Sequence, residues 1–307
     1  MRIALIGRTA TLVEIGEEAR RRGHTIEYVI TAKESAETVS DSKLLEHFAT
    51  TSGAEFIYAP NLDSAVGALR VADQLDIALS VNYVSLISDR HINLFKLGIL
   101  NAHGGDLPRY RGNACQAWAI LNGESKIGLC IHKMIGGQLD SGDIITRDYL
   151  PLDEETYVSD AIGWIRNRAP TMMIDAAELL SRDPQFVLAR QNESSELPLR
   201  TFPRIPEDGR IIWTQSDLQI LRLVRASGLP YSGAFATIGN LTIRIWRASE
   251  SQVSQINSVP GQVTRIEENY FEVSVGDGTR VIKITYCSMD DGSEWRNHIR
   301  SIRTRLS

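Results

Sequence analysis

The sequence predicts an α/β domain with a mostly parallel, helix-covered sheet, followed by a small antiparallel β-barrel. Two observations carry that expectation. Over the first 180 residues, apolar runs of strand length alternate with amphipathic helical stretches, the pattern of successive βα units. Beyond residue 206 the period changes to short alternating runs joined by Gly-Asn and Gly-Asp-Gly turns, the pattern of antiparallel hairpins.

Residues 2–6 form the first strand, which turns at Gly7 into an amphipathic helix over Leu12 to Arg22 closed by Gly23, before a strand at Ile26 to Ile30. A helix over Ser42 to Ser52, a strand at Phe56 to Tyr58, a helix over Leu62 to Asp73 and a buried strand at Ile77 to Val81 continue the alternation. A helix is expected near Thr156 to Leu180. The polar stretch from Gln191 to Pro206, with three prolines, reads as a linker. Strands follow at Ala234 to Ile238, Leu241 to Trp246, Gln262 to Ile266, Phe271 to Val275 and Val281 to Thr285. Domain limits of 1–190 and 207–307, with a linker of 191–206, follow from these breaks.

The 307 residues are 43% hydrophobic and 23% charged, enough to bury a sizeable core. A formal charge of -5 gives no global attraction to nucleic acid. Cys115, Cys130 and Cys287 are odd in number and not spaced as metal pairs, so reduced thiols and a cytoplasmic setting are expected, with no bound metal. The first residues do not form a signal peptide and no run of 18 apolar residues occurs, so no membrane association is expected. Gly7-Arg8-Thr9-Ala10-Thr11 lacks the three glycines that let a dinucleotide pyrophosphate approach the backbone, which argues against NAD.

In open parallel sheets, ligands bind beyond the carboxyl ends of the strands. The densest polar and glycine-rich sequence falls there, between Ile99 and Asp143. Asn101 and His103 stand two apart at the end of an apolar run, so on an extended chain their side chains share one side. An amide that holds a developing oxyanion and an imidazole that moves a proton are what acyl transfer to an amine needs. A carboxylate would orient the imidazole, and Asp140 is the candidate; spacing alone leaves open a structural histidine and a turn-capping aspartate. His132, on a strand from Leu129 to Lys133, offers two readings, lining the cleft or, the favoured one, packing, and nothing beside Cys115 marks it as a nucleophile.

The segment resembles the folate-dependent formyltransferase family. Asn101-Ala102-His103, Leu107-Pro108-Arg109-Tyr110-Arg111-Gly112, Asn122-Gly123-Glu124 and Leu139-Asp140-Ser141-Gly142-Asp143 stand in the family's order. The likeness extends through Arg204-Ile205-Pro206-Glu207-Asp208, Val224-Arg225-Ala226 and Pro230-Tyr231-Ser232-Gly233-Ala234-Phe235, and so covers nearly the whole chain. It implies a Rossmann-like catalytic domain, an OB-like barrel, and 10-formyltetrahydrofolate as formyl donor. By matching motif, Asn101 holds the formyl oxygen, His103 is base toward the amine, and Asp140 pairs with His103. Asn82, Tyr83, Met134, Leu139 and Asp140 are expected around the folate. Asp106, Tyr110 and Arg111 are expected toward the substrate, with bracing of the loop an equal reading for Arg111 and a solvent-facing Asp106 an equal reading for that departure from the family pattern.

Charge separates the two acceptors that the resemblance offers, initiator methionyl-tRNA and a nucleotide-linked amino sugar. Between Thr31 and Thr50, Lys33 and Lys43 face Glu34, Glu37, Asp41 and Glu46, and residues 204–307 carry 13 Lys or Arg against 11 Asp or Glu, too even a balance to grip phosphates. A dTDP-, UDP- or GDP-linked amino-deoxysugar destined for a surface polysaccharide such as O-antigen is therefore expected as acceptor, and nucleic acid is not. The likeness is also compatible with a homodimer. A folate- or sugar-nucleotide-binding module without catalysis is the competing class, and the intact Asn101, His103 and Asp140 argue against it.

Overall fold

The computed structural model describes residues 1–32, 42–59, 61–65, 67, 75–253 and 256–307. In chain order the first part contains β1 (Arg2–Gly7), α1 (Ala10–Arg21), β2 (Thr25–Thr31), α2 (Ser42–Ser52), β3 (Glu55–Tyr58), β4 (Ile77–Val81), α3 (Asp89–Ile92), β5 (Ile99–His103), β6 (Tyr110–Gly112), α4 (Cys115–Asn122), β7 (Lys126–Lys133), β8 (Ile144–Pro151) and α5 (Val158–Arg182). The helix expected over Leu62 to Asp73 begins as a short 3-10 turn, Leu62–Ala65. Most of its remainder lies outside the described residues, as do Lys33, Glu34, Glu37 and Asp41 of the acidic stretch.

The chain divides into two compact units. One comprises Met1–Cys115, Ile127–Leu150 and Gly163–Pro203, and the other Gln116–Lys126, Pro151–Ile162 and Arg204–Ser307. Two segments that precede Gly163 in the sequence thus belong to the second unit.

The first unit holds a seven-stranded sheet in the order β3-β2-β1-β4-β5-β7-β8. β1 runs parallel to β2 and β4, and β4 parallel to β5, whereas β7 lies antiparallel to β5. This is the mostly parallel, Rossmann-like sheet that the alternation predicts. β4 is buried at every position and β1 at every position after Arg2, because both faces of the sheet are covered. Ile3 and Leu5 of β1 join Leu12 and Ile15 of α1 and Met173 and Leu180 of α5 in one layer, while Ala4 and Ile6 join Ile87 and Phe95 in another.

The stretch read as a linker carries structure. Gln191–Glu193 form a 3-10 turn, and β9 (Leu199–Thr201) pairs in parallel with β6. Three residues that are mostly polar and flanked by prolines give no periodic signal, so this strand exists through its partner and not through its own pattern.

The second unit holds α6 (Asp217–Ala226), β10 (Ala234–Ile238), β11 (Leu241–Glu250), β12 (Val263–Ile266), β13 (Phe271–Val275) and β14 (Arg280–Met289). The strands form an antiparallel sheet in the order β10-β11-β14-β13-β12. α6 starts with a capping box of Ser216 and Gln219, and its Ile220, Leu221, Leu223 and Val224 pack with Ile243, Ile245, Phe271 and Ile284 of the sheet. The last residues of the chain bond to both outer strands. The Val263 N–H donates to the Thr304 carbonyl, while the Thr237 and Ser307 backbones exchange bonds of 2.7 and 3.0 Å. Leu306, 2% exposed, anchors this tail in the core.

Replacing Leu306 by Ala is expected to cost about 2–5 kcal/mol in chemical denaturation. Faster amide exchange at Thr237 and Val263 should accompany that loss; unchanged exchange at both would show that the tail does not hold the edges.

Candidate active site

The site is built where β5 ends. Asn101 and His103 lie on one face of that strand, and the antiparallel register sets His132 of β7 opposite Asn101 and Cys130 opposite His103. Asp140 comes from the loop between β7 and β8, in left-handed backbone at φ 47°, a conformation that aspartate adopts more readily than most residues. At Gly142 a side chain would run into the Lys133 carbonyl, so glycine lets this loop fold back against β7. The three residues expected to act together are brought together.

His103 is 6% exposed and both ring nitrogens are engaged. Nε2 lies 2.7 Å from the Tyr110 carbonyl, and Nδ1 lies 3.5 Å from Asp140 Oδ2. A carbonyl can only accept, so Nε2 carries a proton, and a neutral ring would then set a bare Nδ1 against a carboxylate. Protonation of both nitrogens removes that conflict. Burial, the largest single effect, lowers the imidazole pKa, but the Asp140 charge, Cys115 and the Tyr110 carbonyl together outweigh it and push the pKa up to about 10. For Asp140, burial opposes ionisation, whereas the His103 charge and the Gly112 N–H, 3.0 Å from Oδ2, hold the carboxyl well below the usual carboxylate range.

His132, for which packing is the favoured reading from sequence and lining the cleft the other, belongs to the cluster. Its Nδ1 lies 2.9 Å from the Lys133 carbonyl, and its Nε2 lies 3.2 Å from Asn101 Nδ2 and 3.5 Å from Asp140 Oδ1. The shorter contact has the Asn101 amide donating to the ring, which orients that amide and leaves its second N–H for a ligand oxygen. Cys115 also turns out to touch the site, its Sγ 3.6 Å from His103 Nε2 and 3.3 Å from Thr201 Oγ1. At Gly105 a Cβ would stand 2.6 Å from His103 Nε2, so glycine at this position gives the imidazole its room.

The remaining expected residues divide by role. Tyr110 is 2% exposed, so what it offers the site is its backbone carbonyl and not its phenol. Arg111 bonds Gln191 through Nε and Nη2, the bracing reading of that residue. Asp106 is half-buried, its backbone packed on Gly128, and its charge helps raise the Arg147 pKa, so it is not a simple solvent-facing group. The exposed Asn82, at φ 53°, accepts from Arg8 Nε through its carbonyl. Tyr83 donates to the Ala59 carbonyl at 3.3 Å, and burial pushes its phenol pKa up to about 12. Met134 and Tyr83 pack on the same apolar cluster, and Leu139 is half-buried in the Asp140 loop. The two loops expected around the folate are tied together, Gly137 donating to the Ile87 carbonyl and Gly136 to Asp89 Oδ1. Among the described residues no group of three His, Cys, Asp or Glu side chains is arranged to hold a metal ion.

Comparison with known proteins identifies the cluster's setting. Residues 1–177 match the formyl transferase family, and residues 204–295 match the formyl transferase C-terminal domain. The chain belongs to the formyl transferase family. Solved structures share this formyl transferase fold at low identity. An N-formyltransferase from Helicobacter canadensis, in complex with folinic acid and dTDP-3-aminofucose, is 19% identical with a TM-score of 0.66, over 92% of this chain and 99% of that one. WlaRD, a sugar 3N-formyl transferase crystallised with dTDP and 5-N-formyl-THF, is 19% identical with a TM-score of 0.64, over 92% and 97%. HypX from Aquifex aeolicus, in complex with tetrahydrofolic acid, is 18% identical with a TM-score of 0.64; the match covers 94% of this formyl transferase but 44% of HypX.

The raised His103 pKa has a consequence for stability. A group whose folded pKa exceeds its unfolded value of 6.5 stabilises the fold fully below 6.5 and loses that contribution as pH climbs through the folded value, about 10. The stability advantage of the native chain over His103→Asn should therefore shrink between pH 6.5 and 10, as read by thermal unfolding across that window. An advantage that grows with pH would mean that His103 is buried neutral.

Proposed function

We propose that this formyltransferase moves a formyl group from 10-formyltetrahydrofolate to the amino group of a nucleotide-linked (dTDP, UDP or GDP) amino-deoxysugar, for a surface polysaccharide or glycan such as the O-antigen of lipopolysaccharide. The observation that carries this reading is the convergence of Asn101, His103 and Asp140 in one buried cluster at the end of β5.

The folate, when bound, supplies the activated formyl carbon. Apolar Val84, Leu86 and Ile135, exposed on the two joined loops beside Tyr83 and Met134, offer surface that suits its pterin ring. Asn101 presents the N–H not held by His132 to the formyl oxygen, where negative charge develops as the amine attacks. The amine must then lose a proton and the leaving nitrogen must gain one. His103 enters protonated, so its first act is to give a proton toward the leaving nitrogen through the Asp140 pair, and its role as base toward the amine follows once that proton is gone.

Two considerations favour the sugar nucleotide as acceptor. Residues 204–307 are nearly balanced in charge, 13 basic against 11 acidic, which does not suit a grip on tRNA phosphates. Two relatives of the same fold over nearly their full length were crystallised with dTDP or a dTDP-linked amino sugar. The reading places the enzyme in the cytoplasm, where no helix among the described residues is long and apolar enough to anchor it across a membrane.

The test is formyl transfer from 10-formyltetrahydrofolate to a panel of dTDP-, UDP- and GDP-linked 3-amino and 4-amino sugars, with methionyl-tRNA alongside, followed by product mass. One added formyl group on a sugar nucleotide is expected, and modification of tRNA alone would overturn the acceptor. Asn101→Ala should lower kcat about 10²–10³-fold, the usual loss for an oxyanion donor. His103→Ala and Asp140→Ala should each lose most turnover.

A further inference from the structure

Gln191 belongs to none of the family-like motifs and lies in the stretch read as a linker, yet it is 5% exposed and every hydrogen-bonding position of its amide is filled. Nε2 donates to the carbonyls of Asp140 at 3.0 Å and Gly142 at 2.7 Å, while Oε1 accepts from Arg111 Nε at 3.1 Å and Nη2 at 2.7 Å. A primary amide has two N–H groups and two lone pairs, so none is left over. The residue thus joins two stretches that are otherwise distant in sequence. One is the Asp140 loop; the other is β6, which supplies the Tyr110 carbonyl to His103 and the Gly112 N–H to Asp140.

We propose that Gln191 is a positioning residue for formyl transfer, tying the Asp140 loop to Arg111 and so setting the Asp140 carboxylate against His103. The assignment rests on the reading of His103 and Asp140 as the reacting pair. The chemistry of the site selects an amide. Glutamate would accept from Arg111 but turn a second acceptor toward the Asp140 and Gly142 carbonyls, and an apolar residue would leave those carbonyls and the guanidinium unpaired. The loop needs this tether because Asp140 sits in left-handed backbone and its Oδ2 must meet His103 Nδ1 and the Gly112 N–H at once. The same strap is fastened again at Thr201, whose Oγ1 donates to the Arg111 carbonyl at 3.1 Å.

The test compares Gln191→Met, which keeps the length of the side chain, with Gln191→Ala and Gln191→Glu. Two readouts are taken: steady-state formyl transfer, and NMR titration of the His103 ring, which needs no substrate. For Gln191→Met, kcat should fall about tenfold to a hundredfold with KM for both substrates nearly unchanged, the signature of a misplaced reacting group. The His103 pKa should fall from about 10 toward its ordinary 6.5. Native kcat, or a lowered kcat with the His103 titration unmoved, would overturn the assignment. If no acceptor is formylated by the native enzyme, the proposed function fails, and the titration still decides the role of Gln191. Should Gln191→Ala not fold, Gln191→Met carries the comparison.

Discussion

The ion pair between His103 and Asp140 is the constraint that the active site is organised around. Two charges at 7% and 11% side-chain exposure give up hydration worth several kcal/mol each, and such a pair persists only where the remaining donors and acceptors are met. The surroundings do this group by group: the Tyr110 carbonyl takes the outer His103 proton, and the Gly112 N–H meets Asp140. Gly105 keeps the imidazole's flank clear. Much of the Asn101–Asp143 region that is rich in glycine and polar residues can be understood as accommodation of this one pair.

The departure from a fully parallel sheet serves the same end. Running antiparallel, β7 sets His132 across from Asn101, and its following loop returns with Asp140. An amide, two imidazoles and a carboxylate therefore come from two adjacent strands and one loop, and rigid strands carry three of the four groups.

What the sequence disclosed, and what it withheld, follows from how local each signal is. β1, β4, β10 and β13 were legible because period and turn residues lie within the strand's own span. Asn101 and His103 were legible because alternation on one strand fixes their common face. His132 was not, because its role depends on the register between β5 and β7, which no window of sequence contains. The Tyr110 carbonyl and the Gly112 N–H carry no side-chain signature at all. Gln191 and β9 were hidden by polar, proline-flanked composition, whose ordering comes from residues about 50 to 90 positions away. The Asp140 assignment came from family likeness, and spacing alone left it open.

The tail that closes the second unit bears on how this protein meets other molecules. An outer strand normally presents a row of bare N–H and C=O groups on which a further strand can assemble. Here residues 304–307 occupy the free side of β12 and reach β10, whose Phe235 carbonyl also takes the Ile211 N–H. Where the chain's own backbone already takes these groups, a neighbouring strand finds fewer of them to pair with. Self-association through this sheet would therefore lean more on side chains, which favours particular partners over promiscuous stacking.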